Sequence, residues 1–228
     1  MQYEIRQRPN FSIAHVQFDQ PGEELKVESA AMVAKDTAID METNMEGGLL
    51  ASAKRKMLGG ESLFQNTFTA QAAGETMWVA PPAEGDIIDF EMDGREAIYM
   101  SSGNFIASGT GVDLDSEFTG GKGFFSGTSM FMLKATGKGP LFLGSYGAVH
   151  EVDVGREGYI VDNNHIVAFT EGLDYNVRKV GGLVSLAGGG EGIVCEFQGQ
   201  GKLWLSTRSS DALARFLHPF RRVQSSND

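Results

Sequence analysis

The apolar and polar residues of this chain follow the pattern of short β-strands separated by turns. In residues 25–29 apolar and charged side chains alternate, which is the period of a strand with one buried face. Residues 112–117 show the same alternation, and Asp93-Gly94 is a dipeptide typical of tight hairpins. The pattern predicts an all-β protein.

A glycine followed by an apolar strand occurs three times in the chain. The three copies begin at Gly60, Gly127 and Gly190. A second strand with an aromatic residue follows each copy, and these aromatic residues are Trp78, Phe142 and Trp204. A regular spacing on the order of 60 residues indicates a repeated structural unit. The repeat predicts three similar subdomains of the β-sandwich or β-prism type around a pseudo-threefold axis.

The two ends of the chain hold different parts of the repeat. Residues 25–34 align with residues 159–168, so the N-terminal lobe carries the later strands of the unit and lacks the opening ones. Residues 190–208 carry only the opening strands. We therefore predict that the C-terminal hairpin completes the N-terminal lobe, closing the three lobes around the axis and pairing strand edges that are otherwise exposed.

Residues 1–228 are then predicted to form a single all-β unit. The predicted subdomains are residues 1–48 with 188–208, residues 59–120 and residues 121–187, followed by a helix and tail at residues 209–228. Helix-tolerant residues at 49–58 before Gly59 predict a short linker helix. The sequence Ser209-Ser210-Asp211 predicts the cap of a short C-terminal helix, which Pro219 ends.

Composition narrows the classes of partner. The net charge is −11, from 19 basic and 30 acidic residues, and such a field repels nucleic acid and anionic membrane surfaces. No run approaches the roughly 18 apolar residues that span a bilayer. A single cysteine fits a reducing compartment, and residues 1–8 lack the apolar core of a signal peptide. We expect a cytoplasmic protein without nucleic acid partners or membrane insertion.

Motifs for metal binding and catalysis are absent from the sequence. The four histidines, His15, His150, His165 and His218, are far apart along the chain. The spacing Asp113-x-Asp115-x-Glu117 resembles a calcium loop, but Phe118 stands where that loop requires glycine. Cys195 shares strand parity with Ile193 and Phe197, which predicts a buried core thiol. We expect no catalytic residue, no metal and no cofactor, and therefore a protein that is not an enzyme.

The most polar short cluster is Asp162-Asn163-Asn164-His165. One interpretation is an Asx-type turn between two strands. The other is a small polar pocket formed by Asp162, Asn164 and His165, with His165 as an acid or base.

Consecutive apolar residues at Phe124-Phe125 and Met130-Phe131-Met132 leave no polar face on a strand. Such a strand is buried on both sides. Phe124, Phe125 and Phe131 therefore lie either in the core or in an interface between subunits, and the sequence leaves both possibilities open.

Four segments together carry a resemblance to a known family: residues 60–68, Gly85-Asp86-Ile87, residues 162–168 and residues 190–194. With them, the chain from about residue 3 to 208 resembles the altered-inheritance-of-mitochondria family, once catalogued as a bacterial and archaeal domain of unknown function. The resemblance implies three similar β subdomains related to the tryptophan RNA-binding attenuator protein, and an oligomer. Mitochondrial relatives support inner-membrane architecture, and the family brings no catalytic residues.

The leading hypothesis is a cytoplasmic, non-enzymatic protein that self-associates as a scaffold or interaction module with an unknown protein partner. The alternative is a small-molecule-binding protein or enzyme with a pocket near Asp162 and His165. RNA binding is a third hypothesis, against which stand the acidic charge and the lack of a basic and aromatic stripe.

Overall fold

The computed structural model describes residues 1–45, 64–117, 132–179 and 193–221, which consist mainly of β-strands. The predicted all-β class is confirmed. The predicted linker helix at residues 49–58 lies outside the described residues, as do the three glycines that open the repeats. Within the described part of the chain, no helix has the length and apolar character to cross a bilayer.

The strands form three consecutive groups, here named modules 1, 2 and 3. Module 1 contains β1 (Gln2–Arg6), β2 (Ile13–Gln17), β3 (Glu24–Glu28), β4 (Met32–Lys35), β5 (Asp40–Met45), β6 (Phe64–Thr69) and β7 (Thr76–Val79). Module 2 contains β8 (Ile87–Asp93), β9 (Ile98–Ser101), β10 (Phe105–Gly109), β11 (Val112–Glu117) and β12 (Met132–Gly144). Module 3 contains β13 (Val149–Val154), β14 (Tyr159–Asp162), β15 (Ile166–Thr170), β16 (Leu173–Lys179), β17 (Ile193–Gly199) and β18 (Gly201–Ser206).

Each module repeats the same two antiparallel sheets. The first sheet has the order β2-β7-β4 in module 1, β8-β12-β10 in module 2 and β13-β18-β15 in module 3, and β1 extends it in module 1. The second sheet has the order β3-β6-β5, β9-β12-β11 or β14-β17-β16. A register shift occurs at the same place in each first sheet, beside Ala34, Ala107 or Ala168. The threefold repeat predicted from the sequence is therefore present in the strand pairing.

Neighbouring modules are joined by antiparallel strand pairing. In the first junction β10 of module 2 pairs with β3 of module 1, and Ala107 lies opposite Val27. In the second junction β15 of module 3 pairs with β9 of module 2, and Ala168 lies opposite Met100. The first sheet of one module thus continues into the second sheet of the module before it.

The C-terminal hairpin does not complete the N-terminal lobe, and that prediction is wrong. β17 pairs with β14 and β16, and β18 pairs with β13 and β15, all within module 3. Module 1 obtains the corresponding strands from β6 and β7, which are nearer in sequence. Pairing nearby strands closes shorter loops and loses less chain entropy. Strand pairing therefore groups residues 2–79, 87–144 and 149–206, which differ from the predicted subdomains.

The predicted closure of three lobes around an axis is not present among the described residues. Of the strands that the structure describes, β4 pairs with β7 alone and β14 pairs with β17 alone. Both strands therefore keep one unpaired edge, and the modules form a row joined by two junctions.

Each of the three apolar cores extends across a junction, and the core of module 3 contains Met132 of module 2. The core of module 1 also contains Ile106, Ala107 and Phe142 of module 2. The core of module 2 also contains Val167, Ala168 and Trp204 of module 3. Among the described residues, the core of module 3 contains no side chain from module 1.

A short helix follows the last strand, as the sequence predicts. Helix α1 (Ser210–Leu217) begins after Ser209, whose hydroxyl accepts a hydrogen bond from the backbone N–H of Ala212 at 3.3 Å. A 3₁₀ turn at His218–Phe220, with Pro219 inside it, ends the α-helical geometry.

Candidate functional site

The polar cluster at the end of β14 forms a turn of the Asx type. A 3₁₀ helix occupies Asn163–His165, and the Asp162 carboxylate accepts a hydrogen bond from the backbone N–H of Asn164 at 2.9 Å. This contact confirms the first of the two interpretations of the cluster. The corresponding 3₁₀ helix of module 2 is Ser102–Asn104.

His165 is half-buried and held by the chain around it. Its Nδ1 lies 2.7 Å from the carbonyl oxygen of Ser206. Because a carbonyl can only accept, Nδ1 carries the proton, which leaves Nε2 as the acceptor of the neutral ring. The contact ties the turn after β14 to the end of β18.

A cavity of about 290 Å³ lies beside this turn. Its polar lining includes Asn104, Ser145, Asn164, Ser206 and Arg208. Of the predicted pocket residues, Asn164 lines the cavity, whereas Asp162 and His165 do not. Arg208 is the one charged residue among those that line it, so the cavity is suited to a small anion or a polar molecule.

Cys195 is fully buried in the core of module 3, as its strand parity predicts. Burial, together with the charge of Asp162, raises the pKa of the thiol to about 12. The sulfur is therefore protonated near neutral pH and is a poor nucleophile.

The other sequence candidates give no further site in the structure. Within the described ranges, no group of three or more histidine, cysteine, aspartate or glutamate side chains is arranged to hold a metal ion. Asp113 and Asp115 are exposed on β11. The predicted interface residues Phe124, Phe125 and Phe131 lie outside the described residues.

A buried carboxylate that sequence reasoning missed joins modules 1 and 2. Asp86 accepts hydrogen bonds from Arg8 Nε at 2.9 Å, from Arg8 Nη2 at 3.0 Å and from Ser12 Oγ at 2.8 Å. The ion pair raises the pKa of Arg8. The donors of these hydrogen bonds all belong to the chain itself, so the Asp86 carboxylate stabilises the junction between modules.

Among the described strands, β4 and β14 each have an unpaired edge with exposed apolar side chains. We name residues 32–35 the β4 edge and residues 159–162 the β14 edge. Val33 on the β4 edge is 56% exposed, whereas the residues at its position in modules 2 and 3, Ile106 and Val167, are 1% and 0% exposed.

The β14 edge shows the same contrast. Tyr159 is 41% exposed, whereas Leu25 and Ile98 at its position in modules 1 and 2 are 0% and 6% exposed. Met32 and Ile160 are exposed as well. Sequence reasoning missed these residues because it predicted that the three lobes close around an axis, which would bury both edges. The alignment of residues 25–34 with 159–168 already placed Val33 and Tyr159 at positions that are buried in other modules.

A family model and an uncharacterized relative both match nearly the whole chain. The family model described as mitochondrial biogenesis AIM24 matches residues 3–208. An uncharacterized protein of Streptococcus pyogenes serotype M6 is 24% identical over 222 residues, which cover 94% of this chain and 88% of that protein.

A crystal structure of a Streptococcus pyogenes protein, solved by a structural genomics consortium, shares the fold. The TM-score is 0.80 at 23% identity, with 96% of this chain and 99% of that chain covered. At this identity the likeness concerns the fold alone.

Proposed function

The chain belongs to the mitochondrial biogenesis AIM24 family, and we propose that it works as a self-associating, non-enzymatic scaffold or interaction protein. The observation that carries this proposal is the pair of apolar strand edges, β4 and β14, whose counterparts elsewhere in the chain are buried. Unpaired strands with exposed apolar side chains are templates for association. The partner beyond a second copy of the chain is unidentified.

Several observations support a scaffold over an enzyme. The cysteine thiol is buried and protonated, and the buried carboxylate Asp86 is saturated by hydrogen bonds. The acidic net charge of −11 supports a protein partner over RNA. A single buried cysteine supports a cytoplasmic location. Three modules joined edge to edge support a β-prism related to the tryptophan RNA-binding attenuator protein.

The test of self-association is the molar mass in solution. Light scattering coupled to size exclusion, over a range of protein concentrations, is expected to give a mass above the 24.6 kDa of one chain. A mass of one chain at every concentration contradicts the proposal.

A second function rests on the cavity beside Asn164. A small-molecule site there is supported by a volume of about 290 Å³, which is close to that of the smallest ligand pockets. Arg208 and its polar neighbours in the lining support it as well. Thermal shift with inorganic phosphate and with small dicarboxylates as probes is the test. Arg208→Ala is expected to abolish the shift, and His165→Ala, which alters a residue outside the lining, is expected to retain it. No shift with any probe, or a shift that Arg208→Ala leaves intact, contradicts this site.

A further inference from the structure

We infer that the cavity beside Asn164 binds a small monocarboxylate with an apolar body. The carboxylate pairs with Arg208 at the mouth of the cavity, and the apolar body lies against its buried wall. The inference rests on the second function proposed above, the small-molecule site, and names the class of its ligand. It does not depend on self-association.

The cavity lies where equivalent segments of the three modules meet. The strands β7, β12 and β18 occupy the middle of the three first sheets, and the segments that follow them all contribute to the lining. Backbone hydrogen bonds hold these segments side by side, from Gly147 to the carbonyl oxygen of Glu84 at 2.9 Å and from Thr207 to that of Ala148 at 2.9 Å. The cavity is therefore formed by the segments that follow all three modules.

One position of the repeat carries a charge in its third copy alone. The position lies four residues after the aromatic residue of the preceding strand, and its copies, which all line the cavity, are Pro82, Tyr146 and Arg208. The guanidinium of Arg208 donates one long hydrogen bond, from Nη1 to the carbonyl oxygen of Thr207 at 3.4 Å. Among the described residues that line the cavity, none is an aspartate or a glutamate. No carboxylate of the lining therefore competes with a ligand for Arg208.

A single guanidinium favours a ligand with one negative charge. It binds a carboxylate through two parallel N–H···O hydrogen bonds. A phosphate ester carries a charge of about −1.5 to −2 near neutral pH, which exceeds the charge of Arg208. An amino acid would bring an ammonium group for which the described lining has no carboxylate, and an unpaired charge is costly to desolvate. The charge balance therefore favours a monocarboxylate without an amino group.

The inner part of the lining is apolar. Phe105, Ile106 and Ile166 line the cavity and are all buried in the chain, whereas Asn164 and Arg208 are exposed at its mouth. The volume is about 290 Å³, and a dry cavity of about 150 Å³ already takes up benzene. The cavity therefore has room for one aromatic ring and a short chain that ends in the carboxylate.

Isothermal titration calorimetry with 3-phenylpropanoate tests this class of ligand. The probe has one ring, a short chain and one carboxylate, and we expect it to bind saturably. Three comparison probes each change one property: 3-phenylpropanamide lacks the charge, phenylalanine adds an ammonium group, and succinate lacks the apolar body and adds a second carboxylate. Each of them, and inorganic phosphate, is expected to bind more weakly by about tenfold or more.

Two variants locate the probe in the cavity. Arg208→Gln removes the charge of an exposed side chain and is expected to weaken binding of 3-phenylpropanoate by about tenfold or more. Arg156→Gln, at an exposed arginine outside the lining, is the matched control and is expected to retain the wild-type affinity. Ala83→Leu adds bulk to the lining and is expected to weaken 3-phenylpropanoate while leaving phosphate unaffected. The Tm of each variant without ligand shows that it is folded.

The outcomes separate this inference from the proposed site. If phosphate or succinate binds in an Arg208-dependent manner as tightly as 3-phenylpropanoate, the site stands and the monocarboxylate class is overturned. Equal affinity for the amide or for phenylalanine overturns the class as well. If no probe binds, or if binding survives both Arg208→Gln and Ala83→Leu unchanged, the site and the inference fail together.

Discussion

Asp86 is a buried carboxylate at the junction between modules 1 and 2. Its carboxylate is buried and satisfies Ser12 Oγ and the backbone N–H of Ile87, at 2.8 and 2.9 Å, while Arg8 neutralises its charge. We expect Asp86→Ala to lower the free energy of unfolding by about 3 kcal/mol, since it leaves buried donors without an acceptor.

Urea denaturation measures this loss, and a nearby carboxylate provides the control. Asp89 is exposed and accepts a hydrogen bond from the Tyr3 hydroxyl at 3.2 Å. Asp89→Ala is expected to cost less than about 0.5 kcal/mol, as is usual for surface substitutions. Equal losses of unfolding free energy for the two variants would mean that the buried network contributes nothing particular to the junction between modules 1 and 2.

Gly85 lies beside Asp86 and is required by the close approach of two linkers. It forms an isolated parallel bridge with Gly147, and a Cβ atom on Gly85 would stand 1.7 Å from the carbonyl oxygen of Ser145. Gly85→Ala is therefore expected to destabilise the protein by about 3 kcal/mol and to lower the Tm by roughly 6–12 °C.

Differential scanning calorimetry is the measurement for Gly85→Ala. Gly103→Ala is the matched control, because a Cβ there meets nothing within 4 Å and its φ is not positive. We expect its Tm to stay close to that of the wild type. A Gly85→Ala protein with unchanged Tm would show that the linkers separate at little cost.

At the residue scale, sequence reasoning was right where one element decides the outcome. The parity of Cys195 along its own strand predicted its burial, and the side chain of Asp162 predicted the turn that it caps. Asp86 and the exposed Val33 were missed, because their roles depend on contacts between modules that are distant in sequence. Only Asn164 of the predicted pocket residues lines the cavity, since the turn directs neighbouring residues to different sides.

At the scale of the element, the hairpin of β13 and β18 carries a pH-sensitive contact. Lys202, and then the indole N–H of Trp204 at 2.9 Å, donate hydrogen bonds to Glu151 and hold the pKa of that carboxylate below its ordinary value. The stabilisation is therefore present above the ordinary pKa of glutamate, about 4.3, and is lost as the pH falls through the lowered value. Glu151 is about half exposed, so solvent screening limits the effect to less than about 1 kcal/mol.

Glu151→Gln removes the titrating group while retaining an acceptor for Trp204. We expect the wild type to be more stable than this variant at pH 6 and the difference to vanish towards pH 3. Urea midpoints followed by tryptophan fluorescence measure it. A difference that grows on acidification would contradict the sign derived from the lowered pKa.

The elements themselves were largely predictable, and their connections were less so. The alternation of apolar and polar residues predicted β3 and β11. The predicted turn at Asp93-Gly94 has its glycine at a φ of 83°, and the predicted cap at Ser209 begins α1. In module 2, by contrast, one strand of 13 residues, β12, serves both sheets where module 1 uses two separate strands, β6 and β7. Local patterns identify strands, but they do not specify whether two strands are joined by a bend or a turn.

At the scale of the whole molecule, the sequence predicted the repeat and mistook its phase. The glycine-led strand was taken as the start of each unit, whereas pairing places it late in each module, preceded by partners such as β2 and β3. Because the repeat was placed out of phase, the two ends of the chain were predicted to form one lobe. That prediction in turn implied three lobes closed around an axis. The structure completes each module locally instead, and among the described strands it leaves the β4 and β14 edges, one in each outer module, without a neighbour.

The net charge predicts how association responds to salt. Each copy carries −11, so copies repel one another, while the strand edges that we propose to join them are mainly apolar. Raising the ionic strength from about 0.01 M to 0.15 M shortens the screening length from roughly 30 to 8 Å. We therefore expect the association constant to rise several-fold over this range, and sedimentation velocity in a salt series measures it.

An Ile160→Lys variant, which places a charge on the β14 edge, serves as the control for the salt series, because the blocked edge is expected to keep it monomeric at every salt concentration. An assembly held mainly by ion pairs between copies would respond in the opposite way, because salt screens attraction as it screens repulsion. Weaker association at 0.15 M than at 0.01 M would therefore exclude apolar strand edges as its main source and direct attention to the charged surface.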